Sequence, residues 1–144
     1  MASSAAIRNG GAAISYLADS LIKKIRNREN ISAIQNNQLL LLSAVKPDMG
    51  FTAGTAMMRN RYIYAQSNGT VVVRSDYKKG GTWNGAVDCI KHEICPILCW
   101  NNSEYRCNQE LIRMRAVPID TDWNGDLTAL PVKEEDPIQL TLFD

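Results

Sequence analysis

The chain has 144 residues, 45% of them hydrophobic and 7% aromatic, which suits one globular domain with a mainly aliphatic core. Its formal charge of +1 conceals a split. Residues 1–119 hold 15 basic against 8 acidic side chains, whereas 120–144 hold 1 against 7. No apolar run approaches the length of a membrane span, and Met1-Ala2-Ser3-Ser4-Ala5 lacks the apolar segment of a secretory signal, so a cytoplasmic location is expected.

The eleven residues before the first strand read as the end of a helix. Ala12–Ala18, after a Gly-Gly break, reads as a strand. Asp19-Ser20 offers an N-cap for a helix over Leu21–Arg28, and Asn30 offers one for a helix over Ile31–Asn37. The continuous apolar run Leu39–Ala44 suggests a strand buried on both faces. Thr55–Gln66 has Met57, Met58, Tyr62 and Ala65 at helical spacing and ends at Asn68-Gly69. Thr70–Val73 is the strongest β-branched run. A helix from about Thr82 to His92, a buried strand over Cys95–Trp100, a helix over Glu104–Arg115 capped by Ser103, and a short edge strand at Val117-Pro118-Ile119 complete the order. Strands alternating with helices predict an α/β fold with a parallel sheet flanked by helices. Residues 1–119 form the expected domain. Residues 120–144, with Pro131 and Pro137, read as a flexible acidic linker ending in a peptide motif.

In open parallel sheets, ligands sit beyond the carboxyl ends of strands. The loop after Val73 therefore draws attention, with Arg74, Ser75, Lys78, Lys79, Gly80, Gly81 and Thr82. Glycines allow close backbone approach, and a helix N-terminus with two lysines favours phosphate. The plainer reading is a strand-to-helix turn with solvated lysines. Arg59-Asn60-Arg61 forms a second basic cluster, read as lying at the start of a helix, where it could converge with Lys78 and Gly80. Its plainer reading is a basic helix face with two arginines pointing apart. Trp83 reads as packing its helix onto the sheet rather than stacking on a base, and Tyr77 is the better stacking candidate.

Two segments carry a family likeness. Gly50-Phe51-Thr52-x-Gly54-x-Ala56-Met57-x-Arg59-Asn60-Arg61-x-Ile63-Tyr64-Ala65 resembles the DNA-processing protein A (DprA/Smf) family. So does Val72-Val73-x-Ser75-Asp76-x-x-Lys79-Gly80-Gly81-Thr82-Trp83-x-Gly85-Ala86, with Pro96-Ile97 and Asn108-x-x-Leu111-Ile112 beyond it. The likeness covers roughly Ala12 to Ile119. It implies a Rossmann-like fold and non-catalytic binding of single-stranded DNA, serving DNA uptake, recombination or repair, with loading of RecA in natural transformation. Arg59, Asn60 and Arg61 match the family's Arg-Asn-Arg segment, and Gly80, Gly81 and Thr82 match the second Gly-rich turn of its pocket. The family's first strand–helix units, with their Gly-rich loop, and its C-terminal winged-helix module have no counterpart here. A truncated or split chain, or a homodimer that completes the site, is expected from that. The likeness calls for no cofactor and no metal.

Two other classes compete. Nucleoside-monophosphate phosphoribohydrolases use a Pro-Gly-Gly-x-Gly-Thr turn followed by Glu. Lys79–Gly85 lacks that order, and Asp88 is the nearest acid, read as a surface acid near a helix N-terminus. A degenerate domain serving only as an interaction module is the third class. No catalytic residue is assigned. Cys89 and His92 stand three apart on one expected helix, but nothing there supplies an oxyanion hole. Cys89, Cys95, Cys99 and Cys107 have weak zinc spacing and read as reduced, partly buried thiols, with a metal or redox role as the alternative.

The chain ends in Gln139-Leu140-Thr141-Leu142-Phe143-Asp144, which resembles the bacterial sliding-clamp-binding motif. Leu142 and Phe143 would fill an apolar pocket, with Gln139 bonding at its rim and Leu140 beside them. The alternative is that these apolar residues pack back on the domain.

Overall fold

A computed structural model describes residues 2–76 and 78–127. The elements run α1 (Ala2–Arg8), β1 (Ala13–Leu17), α2 (Leu21–Ile25), α3 (Arg28–Gln35), β2 (Leu39–Ser43), α4 (Ala53–Ala65), β3 (Thr70–Val72), α5 (Gly80–Lys91), β4 (Ile97–Trp100), α6 (Arg106–Arg113) and β5 (Val117–Ile119). The expected parallel α/β architecture is present. Its strands form two parallel sheets, β1-β2 and β3-β4-β5. The chain divides into two compact units, Met1–Ile63 and Tyr64–Asp144. No helix among the described residues is long and apolar enough to cross a membrane.

In the first unit, β1 and β2 pair from Ala13↔Leu39 to Leu17↔Ser43. Side chains alternate between the two faces of a strand, and the partners Ile14 and Leu40 share one face, 64% and 51% exposed. The expectation that β2 is buried on both faces is therefore corrected. The apolar run made the strand, but a two-stranded sheet with one open face leaves Leu40 in contact with solvent. Leu17, Ala18 and Ala33 are the buried apolar residues here.

Two helix starts in this unit follow from side-chain oxygens. Ser20 caps α2, its Oγ accepting from the Lys23 amide at 3.4 Å while donating to the Pro47 carbonyl at 3.0 Å. Thr52 and Thr55 form a reciprocal box at the head of α4. The Thr55 amide donates to Thr52 Oγ1 at 3.0 Å, and the Thr52 amide donates to Thr55 Oγ1 at 3.2 Å. Thr55 Oγ1 also reaches the Ala18 carbonyl at 2.9 Å, fastening α4 to the end of β1. The cap expected at Asn30 is instead Asn27, whose Oδ1 accepts from the Asn30 amide at 3.1 Å. The Asn30 side chain donates to the Lys24 carbonyl, so α3 starts three residues earlier.

The second unit has the denser core. Central strand β4 is flanked on both sides, and Ile97, Leu98 and Cys99 are all buried, as expected for its apolar run. β5 takes the edge, where Pro118 needs no ladder donor. Along α5, Trp83, Ala86, Val87 and Ile90 recur at helical spacing and pack into a cluster with Tyr64, Val72 and Leu111. Trp83 is 8% exposed, which bears out packing over base stacking. α6 begins after Tyr105, not at Ser103. Asn102 Oδ1 captures the Glu104 amide at 2.8 Å, an Asx turn that holds residues 102–104 out of the helix. The described part of the acidic segment is irregular, with Asn124 Oδ1 accepting from the Asp126 amide. Residues 128–144, and with them the expected flexible linker, lie outside the described residues.

Candidate nucleic-acid interface

β3 delivers the chain into the loop at its carboxyl end. Ser75 is buried there, while Arg74, Asp76, Lys78, Lys79, Gly80, Gly81 and Thr82 are exposed. The Asp76 carbonyl accepts from the Lys79 amide at 3.2 Å, closing a tight turn. Lys78 at φ 53° and Gly80 at φ 79° both occupy the left-handed region, which redirects the chain from turn to helix. α5 begins at Gly80, two residues earlier than expected, with Lys79 as its N-cap and no side-chain cap bond. A lysine has no acceptor to offer the first-turn amides, so this end of a twelve-residue helix presents positive backbone dipole beside two cationic side chains. That combination favours a phosphate oxygen.

α6 holds this loop in place. Asn108, 0% exposed, donates through Nδ2 to the Val73 carbonyl at 2.9 Å and the Trp100 carbonyl at 3.0 Å. It thereby ties the carboxyl ends of β3 and β4 to one helix. The Arg74 guanidinium lies 5.6 Å from the ring centre of Tyr105, the N-cap of α6, a cation–π contact at the same end. Ser75 Oγ and Asn108 Oδ1 are buried there without a hydrogen-bond partner among the described residues. In the sequence Asn108 stands out only as one position of the Asn108-x-x-Leu111-Ile112 motif, with no role of its own. An asparagine on the buried face of an otherwise apolar helix side was the available signal.

The arginine cluster sits in the other segment. Arg59, Asn60 and Arg61 lie in the middle of α4, not at its start, because the threonine box begins that helix at Ala53. Arg59 turns inward. Its Nε donates to Asn60 Oδ1 at 3.0 Å and its Nη1 to the Tyr16 carbonyl at 3.3 Å, at the carboxyl end of β1. It lines a narrow cleft with Tyr16, Leu17, Thr55, Met58 and Tyr62. Tyr16 and Tyr62 stack there with ring centres 6.2 Å apart. Arg61 is exposed. The two arginines thus differ in role, one bracing the end of β1 and the other facing solvent. Tyr77 and the peptide residues Gln139, Leu140, Leu142 and Phe143 lie outside the described residues.

The competing chemistry has little to work with here. Asp88 lies in the second half of α5, eight residues and about 12 Å beyond Gly80. It is not near the helix N-terminus, and its carboxylate is 3.2 Å from His92 Nδ1. Cys89 contacts Cys95 rather than His92, with 3.6 Å between the sulfurs. None of the four cysteines is bridged in the structure; Cys89 and Cys99 are buried and Cys95 and Cys107 partly so. Burial pushes Cys99 up to about 11. No cluster of metal-binding side chains occurs among the described residues.

No curated protein and no solved structure matches the chain. The family model of DNA recombination-mediator protein A matches residues 1–124, a span containing both glycine-flanked motifs, the Arg-Asn-Arg segment and Asn108. The chain therefore belongs to the DNA recombination-mediator protein A family.

Proposed function

We propose that the chain binds single-stranded DNA without catalysing a reaction on it, as part of a recombination-mediating role. The observation that carries this is the head of α5. Its N-cap Lys79 makes no side-chain cap bond, it follows Lys78 and Lys79, and it stands exposed at the carboxyl end of β3. Lys78, Lys79, Gly80, Gly81 and Thr82 grip phosphate oxygens, and Arg61 adds a second cationic contact. Arg59 and Asn60 support Arg61 from within α4 of the first unit, where Arg59 donates to Asn60 Oδ1. Membership of a recombination-mediator family supports DNA over other polyanions. In this reading the protein acts in the cytoplasm, associates as a homodimer and presents bound strand to RecA. The terminal Gln139, Leu140, Leu142 and Phe143 recruit it to the sliding clamp.

The test is fluorescence anisotropy with a labelled single-stranded oligonucleotide across a salt series. Phosphate contacts release counterions, and each contributes about 0.7 to the log–log salt slope for single strands. Lys78→Ala/Lys79→Ala should therefore flatten the slope by roughly 1.4 and weaken binding at every sequence tested. Binding that is absent, or unchanged by the double variant, removes the proposal. Release of free base from a nucleotide would replace it with the hydrolase reading.

A further inference from the structure

We propose that Cys89 and Cys95 form a reversible disulfide when the protein meets a hydroperoxide, with Cys95 as the attacking thiolate and Cys89 as the resolving thiol. The pair sits at the opposite end of α5 from the lysine loop. Cys89 lies in the last turn of the helix, and Cys95 lies just before β4. Their sulfurs are 3.6 Å apart. A disulfide requires about 2.0 Å, so the sulfurs must close by roughly 1.5 Å. The intervening turn at His92-Glu93-Ile94 lies outside both regular elements, and Glu93 is already left-handed at φ 49°. A short turn of this kind absorbs such a shift more readily than a helix or strand.

The surroundings assign the two roles. Cys89 is 0% exposed, whereas Cys95 is partly exposed, so a small oxidant meets Cys95 first. The Cys89 thiol at 3.6 Å and the Thr70 hydroxyl at 3.5 Å both lie within donor range of the Cys95 sulfur. The hydrogen bond from Cys89 outweighs the opposing effect of burial and, together with the smaller effect of Thr70, holds Cys95 down to about 7. Cys89 is raised by the same shared bond and by its burial, so it keeps its proton. Cys99 is differently placed, directed at the Asn108 carbonyl at 3.7 Å.

The chemistry balances with a hydroperoxide as oxidant. The Cys95 thiolate attacks the terminal peroxide oxygen, the O–O bond breaks, and the leaving hydroxide or alkoxide takes up the proton that Cys95 released to solvent on ionising. The Cys89 sulfur then attacks the sulfur of the Cys95 sulfenic acid. The S–O bond breaks and water departs with the Cys89 proton. Two electrons have passed from the dithiol to the peroxide, and a dithiol reductant returns them. The new bond fastens the far end of α5, the helix whose first turn carries Gly80 to Thr82, to the beginning of β4.

The experiment treats the full chain with a small excess of hydrogen peroxide, blocks remaining thiols in denaturant, and digests with trypsin. Cleavage after Lys79, Lys91 and Arg106 separates the two cysteines onto different peptides. The expected product is those peptides joined, with fragmentation assigning the bridge to Cys95 rather than Cys99. Dithiothreitol should abolish it, and Cys95→Ser should lose it entirely. Cys89→Ser should leave a sulfenic acid on Cys95 that dimedone traps. Should that variant fail to fold, the wild-type digest decides alone. The proposal is overturned if Cys89 and Cys95 both remain alkylatable after Cys107 has oxidised, or if Cys95 passes to the sulfinic acid with no joined peptide.

Discussion

Replacing Asn108 with alanine should loosen the candidate site from behind without touching an exposed residue. The side chain supplies donors to two carbonyls, those of Val73 and Trp100, from a fully buried position. Removing it leaves both acceptors without that donor, and an orphaned buried polar group costs about 1–3 kcal/mol. Val73 is itself 64% exposed, so water can reach its carbonyl and the penalty there falls at the lower end. A total of about 2–4 kcal/mol follows, with a small cavity included. At a urea dependence of about 2 kcal/mol per molar, the midpoint should drop by roughly 1–2 M. Trp83, Trp100 and Trp123 are the chain's three tryptophans and all lie in the second unit, so intrinsic fluorescence reports that unit directly. Asn108→Asp sharpens the test. A carboxylate facing two carbonyl oxygens is favoured in its protonated form when folded, so its pKa rises above the unfolded value. The variant should then recover stability as pH falls from 7 towards the ordinary carboxylate range. A midpoint for Asn108→Ala within about 0.2 M of wild type, or an Asn108→Asp midpoint flat with pH, would refute the assignment of Asn108 as the tie between β3 and β4.

Other expectations follow from the same contacts. Gly80→Ala places a Cβ in open space but forces φ 79° on an L-residue, so it should cost about 1–2 kcal/mol through the backbone alone, read by tryptophan fluorescence. Thr52→Ala removes the side-chain half of the α4 box and should lower helical stability by about 1 kcal/mol in urea melts followed by circular dichroism. Cys95 held near 7 should alkylate only about 10-fold faster at pH 8 than at pH 6, whereas a thiol at the ordinary 9.0 would gain nearly 100-fold. Iodoacetamide labelling with peptide mass spectrometry distinguishes the two. Leu142→Ala/Phe143→Ala should abolish capture by immobilised sliding clamp while leaving oligonucleotide affinity unchanged, and equal capture would dismiss the terminal motif.

The parts of the fold written in side-chain periodicity were legible. The β-branched run at Thr70, the apolar run ending at Trp100 and the Pro-containing edge strand each became the expected strand. Trp83 was assigned to the core from its place on a helix, and it packs there. Helix starts were legible only in part. Ser20 was identified correctly, but Asn27 outcompeted Asn30, and Asn102 diverted the segment that Ser103 was expected to cap. Adjacent asparagines and serines offer equivalent oxygens, and which one captures an amide depends on the direction of chain entry. Burial of β2 was misread for a different reason. An apolar run records what a strand can tolerate, whereas its exposure depends on how many neighbours the sheet provides, and β2 has one.

The arginine cluster shows what a motif leaves unsaid. Arg59 and Arg61 are two residues apart on a helix, so they stand about 200° apart around its axis and cannot grip the same phosphate. One of them must then serve another purpose, and its contacts say which. Arg59 bonds the Tyr16 carbonyl, which is the last polar group but one of β1, and at the same time orients Asn60. In the second unit, Asn108 does the equivalent for β3 by bonding the Val73 carbonyl. In each unit a carbonyl within one residue of a strand's end is thus held by a side chain from a later helix. Such a contact fixes where the following loop begins without using any exposed group of that loop. Arg61, Lys78 and Lys79, by contrast, are exposed. Substitution at Arg59 should accordingly lower the stability of the first unit more than it flattens the salt dependence of DNA binding, and substitution at Arg61 should do the reverse. A flattened slope with unchanged stability for Arg59→Ala would show that its guanidinium leaves Tyr16 to meet the strand.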